Sequence, residues 1–303
     1  SRMTILVLSL AFAVIGIFGW IIWRKGIKPR TTPEVERVAF AMRNRGFFDG
    51  WVDQKKEKEV WISKAGTGEF RTLYLGDSNM WQYAPRIIRV LNDGKHQTAG
   101  IIMIGAGGTL PIEGVTTPDH ERVQNLMTKY HEFLDKDPHI RRVVIAAVWD
   151  KYFESKSKYS INGRLLRDPA GEKAAINSFG NMVRSLKMRG KEVVVVLSVP
   201  HGEKFDPQHF FHRSFLGISL TKPPVITKKD FLENIGHQGS RKDLARIAME
   251  NGATVIDPMD YLTAGENCLV VSEDGSPIRY DDHHLRNWFV REHVKYLDGT
   301  VAP

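Results

Sequence analysis

Five short, nearly continuous apolar runs leave this chain few ways to fold. They are FRTLYLG (70–76), AGIIMIG (99–105), RRVVIAAV (141–148), KEVVVVLSV (191–199) and ATVIDP (253–258). Each is short for a buried helix and lacks the polar alternation of a strand with one wet face, so each reads as a strand covered on both sides. Helical patterns near 79–92, 119–135, 170–189, 240–251 and 285–298 separate and follow them. Such alternation predicts an α/β fold, a doubly wound parallel five-stranded sheet between two helical layers. Sites in these sheets form beyond the carboxyl ends of the strands. With 42% hydrophobic residues, the 303-residue chain has ample material for the core.

Ahead of the alternation, Met3 to Trp23 is an uncharged run of 21 residues, close to the ~20 that a helix needs to cross a bilayer. Trp20 and Trp23 stand at its end, where amphipathic aromatics favour the interface, and Arg24, Lys25, Lys28 and Arg30 follow. A cleaved signal peptide would have a shorter apolar region and a small-residue cleavage site in place of RKGIKPR. Residues 1–30 therefore read as a retained transmembrane anchor with a basic flank. The positive-inside rule alone would put everything after that flank in the cytoplasm. Residues 31–69 read as a juxtamembrane connector, with a short helix opened by Thr32 and Pro33 and closed by Gly46, then the solvated charge run DQKKEKE. The main domain is 70–303, interrupted by an insertion at 201–239 that is too long for an ordinary connection.

A formal charge of +8 favours contact with anionic surfaces. The basic residues are scattered and form no nucleic-acid motif, so no nucleic-acid partner is expected. Cys268 stands alone, which excludes an intramolecular disulfide, and a buried thiol is a simpler reading than a reactive one.

Chemistry gathers at three strand ends. The first run delivers Gly76, Asp77 and Ser78 into a helical segment. A serine at such a turn can expose its hydroxyl at the sheet edge, and its amide can help hold an oxyanion. Asp77 or Ser78 acting only as a helix cap explains the tripeptide equally well. The second run ends in GAGGTLPIEG, where Gly107 or Gly108 can bring a second amide close to a substrate. A phosphate-cradling loop is less suited, since no Walker lysine follows and Pro111 interrupts. Near the C-terminus, YDDHHLRNWF supplies Asp281 and His284, a carboxylate and an imidazole three residues apart, as serine catalysis requires. Asp281, Asp282, His283 and His284 are also good metal-ligand types, but no HExxH or cysteine-pair pattern supports a metal site.

Gly76-Asp77-Ser78, a glycine after the second strand and Asp281-x-x-His284-Leu285 together resemble the SGNH (GDSL-type) hydrolase superfamily over about residues 70–298. AAVWDKYF after the third strand, and Cys268 followed by GSPIRYDDHHL, are similar to the SGNH domains attached to bacterial acyltransferase family 3 membrane proteins. That resemblance implies a flavodoxin-like three-layer domain and a Ser78–His284–Asp281 triad, with the amides of Ser78 and Gly107 or Gly108 as oxyanion donors. It implies O-acylation, most simply O-acetylation, of an envelope or secreted polysaccharide such as lipopolysaccharide. Family topology sets the domain on the outer face of the bacterial inner membrane, overriding the basic flank, because all helices of a multi-span protein set orientation together.

No cofactor or metal is expected to be bound. The acyl group would come from acetyl-coenzyme A through a multi-span membrane donor, either fused upstream, making this chain a C-terminal piece, or separate. Esterase action on envelope glycans, or a degenerate glycan-binding or scaffold module, are the rival readings.

Two departures stand out. The superfamily's third block offers an asparagine to the oxyanion, whereas Val148-Trp149-Asp150 stands here; a lost donor costs about 100-fold or more in rate unless replaced. Gly108-Thr109-Leu110-Pro111 stands where the membrane-linked group has a cysteine, leaving Cys268 unpaired. Asn79, Trp149, His209, Phe210 and Arg213 are the expected substrate contacts, the last three from an aromatic and basic insertion that equally suits a packing loop.

Overall fold

All five apolar runs are strands in the computed structural model, which describes residues 2–25, 32–43, 46–48, 50–51, 53–93, 99–118, 120–214, 217–234 and 238–301. The central sheet comprises β1 (Asp53–Glu57), β2 (Val60–Ala65), β3 (Phe70–Gly76), β4 (Ala99–Gly105), β5 (Ile140–Ala146), β6 (Glu192–Val196) and β7 (Thr254–Ile256). Its order is β1-β2-β4-β3-β5-β6-β7. The five strands from β3 to β7 run parallel, and β2 joins β4 antiparallel. In register, Gly76 faces Gly105 on one side and Ala146 on the other, so β3, β4 and β5 end level. Between β3 and β5 the connections leave in opposite directions, which opens a crevice at the strand ends.

The sheet is wider than its apolar runs suggest. Residues 53–65, expected within the connector, form a hairpin on the sheet edge, turned at Lys58 and Glu59 with φ of 46° and 68°. The charge run DQKKEKE is thus an outer strand and its turn. Val60, Ile62 and Ala65 are buried while β1 is almost wholly exposed, and its charges discourage pairing with a further strand.

Eight helices are named here: α1 (Arg2–Lys25), α2 (Pro33–Arg43), α3 (Ser78–Trp81), α4 (Ala84–Leu91), α5 (His120–Lys136), α6 (Pro169–Met188), α7 (Gln238–Glu250) and α8 (Asn287–His293). The expected helix 79–92 is two pieces because Pro85, in the first turn of α4, cannot donate a backbone bond to the turn before it. Leu73 and Leu75 pack with α5, α6 and α7 on one face of the sheet, while Tyr74 packs with α4 and α8 on the other. The result is three layers. α1 has mean hydropathy 2.3 over Arg2–Trp20 and buries none of that window, so it is long and apolar enough to cross a membrane.

The insertion 201–239 has its own small core. Phe205, Phe210, Ile226 and Phe231 pack with Val38 of α2 and with Met259, Cys268 and Val270. Cys268 is a free thiol, and burial pushes its pKa up. α2 is thereby docked on the domain, and Arg37 adds a bond to the Asp274 carbonyl at 3.3 Å. Phe210 is 2% exposed. Phe210→Ala is expected to lower stability by about 3–5 kcal/mol, as large aromatic truncations in cores do. Urea unfolding of the detergent-solubilised protein measures this, and an unchanged midpoint would place Phe210 outside the core.

Candidate active site

Gly76 ends β3 where no side chain fits: an added Cβ would lie 1.9 Å from the Ala146 carbonyl oxygen and 2.7 Å from Met80 Cβ. That close approach lets the chain turn sharply into α3. Asp77 caps α3, its Oδ1 accepting from the Asn79 N–H at 2.7 Å. Its other oxygen, Oδ2, accepts from the Val148 N–H at 3.1 Å and the Tyr152 hydroxyl at 2.7 Å. Asp77 is wholly buried. Burial raises its pKa, opposed by Tyr152 and by the Val148 and Asn79 amides. The capping reading of this turn holds for Asp77, and it leaves the Ser78 hydroxyl free of the cap to face the C-terminal segment.

There, Asp281 Oδ1 accepts the N–H groups of His283 (3.0 Å) and His284 (2.7 Å), folding the segment back on itself. Asp281 Oδ2 lies 2.8 Å from His284 Nδ1, and His284 Nε2 lies 2.7 Å from Ser78 Oγ. Since a carboxylate only accepts, the network assigns the ring proton to Nδ1 and leaves Nε2 to accept from the serine. Burial pushes the Asp281 pKa up, but the His284 hydrogen bond, the nearby imidazoles and the His283 N–H outweigh it, and the net shift is downward.

Gln82 ties the two segments together, donating to the Asn79 carbonyl at 3.0 Å and accepting the Leu285 N–H at 2.7 Å. Arg279, fully buried against the Phe205 ring, donates to the carbonyls of Leu269 and Pro200 just ahead of Asp281. Burial brings its pKa down to about 10. Around His284, Tyr280 stacks at 5.2 Å and 4°, the His283 ring lies at 3.9 Å, and Phe47 at 6.3 Å. Phe47 lies in the segment expected to be the juxtamembrane connector.

A cleft of about 560 Å³ opens beside Ser78, lined also by Gly108, Thr117, Pro118, Lys151, Tyr152, Glu154, Lys156, Ser157, Lys158, Tyr159 and His283. Gly108 faces it with φ 63°, while Gly107 backs onto the Trp81 ring. Arg122 donates to the Gly107 carbonyl at 3.2 Å and Tyr159 donates to that of Gly108, which holds this loop in place.

Of the expected substrate contacts, Asn79, Trp149, His209 and Phe210 do not line this cleft. Trp149 is 1% exposed, donates to the Val196 carbonyl at 2.8 Å and packs on Phe179, so it is a core residue and brings no donor to the cleft. Asn79 is buried beneath the turn, its Oδ1 accepting from Gln82. Phe210 belongs to the insertion core, and His209 stands exposed 3.6 Å from Glu203. Arg213 sits on a hairpin strand opposite Ile218, and its side chain lies outside the described residues. Lys151 is the unforeseen neighbour: its Nζ meets Asp282 Oδ2 at 2.8 Å and His283 Nδ1 at 3.1 Å. Asp281, His283 and His284 bring ligand-type atoms within 4.8 Å of one another, yet each is engaged in the hydrogen bonds just described.

Tyr152 is where this scaffold can be tested. Stability contributed by a carboxyl whose folded pKa is raised is lost as pH rises through that pKa, and the Tyr152 hydroxyl offsets part of the loss. Tyr152→Phe is expected to cost about 1.5–3 kcal/mol at neutral pH, the worth of a hydrogen bond to a charged group. The deficit should narrow as the pH falls and Asp77 takes up a proton. Urea unfolding across pH 4–8 reads both, and a deficit flat with pH would mean that Asp77 is not the partner that matters.

Among solved structures, the chain is similar to the periplasmic domain of a lipopolysaccharide acetyltransferase from Salmonella ser. Paratyphi A, at 12% identity, TM-score 0.56, covering 95% of this chain and 96% of that one. A GDSL-like lipase from Bacteroides thetaiotaomicron aligns at 12% identity and TM-score 0.40, over 76% of this chain and 88% of its own. No curated protein sequence matches. The family model described as an SGNH domain fused to AT3 domains matches residues 49–296, from the sheet-edge hairpin through the His284 segment to the final turn. Over that span the chain belongs to the family of SGNH domains found fused to AT3 domains.

Proposed function

We propose that this protein is an O-acyltransferase that moves an acyl group, most simply acetyl, onto a hydroxyl of a bacterial envelope or secreted polysaccharide through an acyl-serine. The observation that carries the reading is the line Ser78 Oγ–His284 Nε2–Asp281, with hydrogen bonds of 2.7 and 2.8 Å in one half-buried network. As Ser78 attacks the donor carbonyl, His284 Nε2 takes its proton, and Asp281 stabilises the imidazolium and keeps its orientation. The amides of Ser78 and of Gly108 or Gly107 are the proposed oxyanion donors. The tetrahedral intermediate collapses to the acyl-serine, and His284 gives its proton to the leaving group. A sugar hydroxyl then loses its proton to His284, attacks the acyl-serine and leaves as the ester, while the proton returns to Ser78 Oγ.

A membrane-anchored domain on the outer face of the inner membrane needs acyl groups delivered from outside its own fold. Membership of a family fused to AT3 domains supports a multi-span membrane donor, in the same polypeptide or a separate one, that passes on acyl groups from cytoplasmic acetyl-coenzyme A. No resident cofactor or metal is required by this chemistry. α1 and the periplasmic neighbour support the location.

The test is acetyl transfer from a chromogenic acetyl ester, with and without oligosaccharide acceptors. Ser78→Ala should abolish ester cleavage, and Asp281→Asn should slow it by about 10³–10⁴, as loss of the orienting carboxylate does in serine proteases. Ser78-dependent formation of acetylated sugar supports the transferase. Acetate as the only product would replace it with an esterase, and turnover indifferent to Ser78 would overturn serine catalysis here.

A further inference from the structure

We propose, resting on the acyl-transfer reading above, that the acceptor is an acidic polysaccharide whose anionic groups are met by Lys156 and Lys158 while Tyr159 packs against the sugar. One short segment, KYFESKSKY at 151–159, builds this wall of the cleft beside Ser78. Its charges are not equivalent. Lys151 is committed to Asp282. The His283 hydrogen bond, together with Lys151 and against the cost of burial, holds Asp282 ionised well below its ordinary pKa, so that pair is neutral towards a ligand. Asp77 is wholly buried, its Oδ2 taken by Tyr152 and the Val148 amide, so it presents no accessible carboxylate to a ligand. What remains is Glu154 against Lys156 and Lys158, both exposed and with no carboxylate partner among the described residues. A concave surface whose accessible charges are mainly positive attracts anions.

The wall is also rigid. Ser157 Oγ donates to the Tyr152 carbonyl at 2.6 Å, the Ser157 N–H to the Glu154 carbonyl at 2.8 Å, and the Tyr159 carbonyl accepts the Leu166 N–H at 2.8 Å. Arg167 reaches the carbonyls of Ser155 and Ser157 at 3.5 and 3.4 Å. Tyr159 stands edge-on to Tyr152 at 4.8 Å and 82°, its hydroxyl tied to Gly108. A fixed aromatic ring sharing the cleft with two exposed ammonium groups suits a sugar bearing carboxylate or phosphate substituents better than a neutral chain or a flat lipid surface.

The experiment uses the full-length Ser78→Ala protein in phosphatidylcholine nanodiscs, titrated calorimetrically with tetragalacturonate and with neutral maltotetraose. Tetragalacturonate should bind roughly tenfold more tightly, the effect of two exposed charge contacts, and added salt should erase the difference. Lys156→Gln with Lys158→Gln should erase it too, while arginine at both positions should preserve it. Equal affinity for the two sugars, or a preference that survives the glutamine pair, overturns the proposal. So does loss of tetragalacturonate binding when phosphatidylglycerol is added to the nanodiscs, which would assign the lysines to the lipid surface. Ester cleavage by the wild-type protein in the same nanodiscs separates the two ideas: binding without Ser78-dependent cleavage defeats the transferase reading alone.

Discussion

A single buried carboxylate holds the site together. Asp77 has no contact with water, and burying an unpaired charge would be prohibitive. It is sustained by donors from two strand ends: Asn79 on its own turn, and Val148 and Tyr152 beyond β5. Meeting that demand fixes the spacing between the β3 and β5 ends, places Ser78 at the head of α3, and leaves its hydroxyl pointing away from the cap. The level register of Gly76, Gly105 and Ala146 gives the donors a common edge from which to converge. Gln82 then extends the same frame to the His284 segment.

Much of this was legible in the residues, and for definable reasons. A strand buried on both faces must be apolar throughout, so β3 and β4 are recognised to the residue; Ser78, His284 and Asp281 stand out in the sequence because serine, imidazole and carboxylate have few substitutes, and the fold brings them within hydrogen-bonding distance. The edge hairpin was not legible: β1 is a strand made of charges, stabilised by pairing with β2, and its periodicity resembles that of a solvated loop. Nor was the wall of the cleft. Aromatics and basic residues in the insertion look like ligand contacts, yet Phe210 fills a core formed with α2 and the 259–270 region, contacts that no local pattern announces. Gln82 and Lys151 act through partners about two hundred and one hundred and thirty residues away, respectively.

Trp149 illustrates how one exchange alters a site. Where the superfamily places an oxyanion donor, this chain places an indole whose N–H is committed to the Val196 carbonyl and whose ring packs on Phe179. The position has passed from the cleft to the core. In the proposed mechanism, electrostatic stabilisation at the serine then falls on the amides of Ser78 and the glycine loop, and the Arg122 and Tyr159 tethers on Gly107 and Gly108 gain importance accordingly.

The rings around His284 bear on how often the imidazole is ready. Tyr280 lies parallel to it, His283 presses from 3.9 Å, and Phe47 adds a third aromatic neighbour. A free imidazole samples several rotamers and spends much of its time misaligned. This one is confined, so its rotational entropy is surrendered once, during folding, and in the proposed reaction need not be surrendered at each encounter with substrate. Because Phe47 precedes the sheet in sequence, the polypeptide leading from α1 takes part in that confinement, and the poise of the histidine is inherited partly from the stretch that joins the domain to its apolar helix.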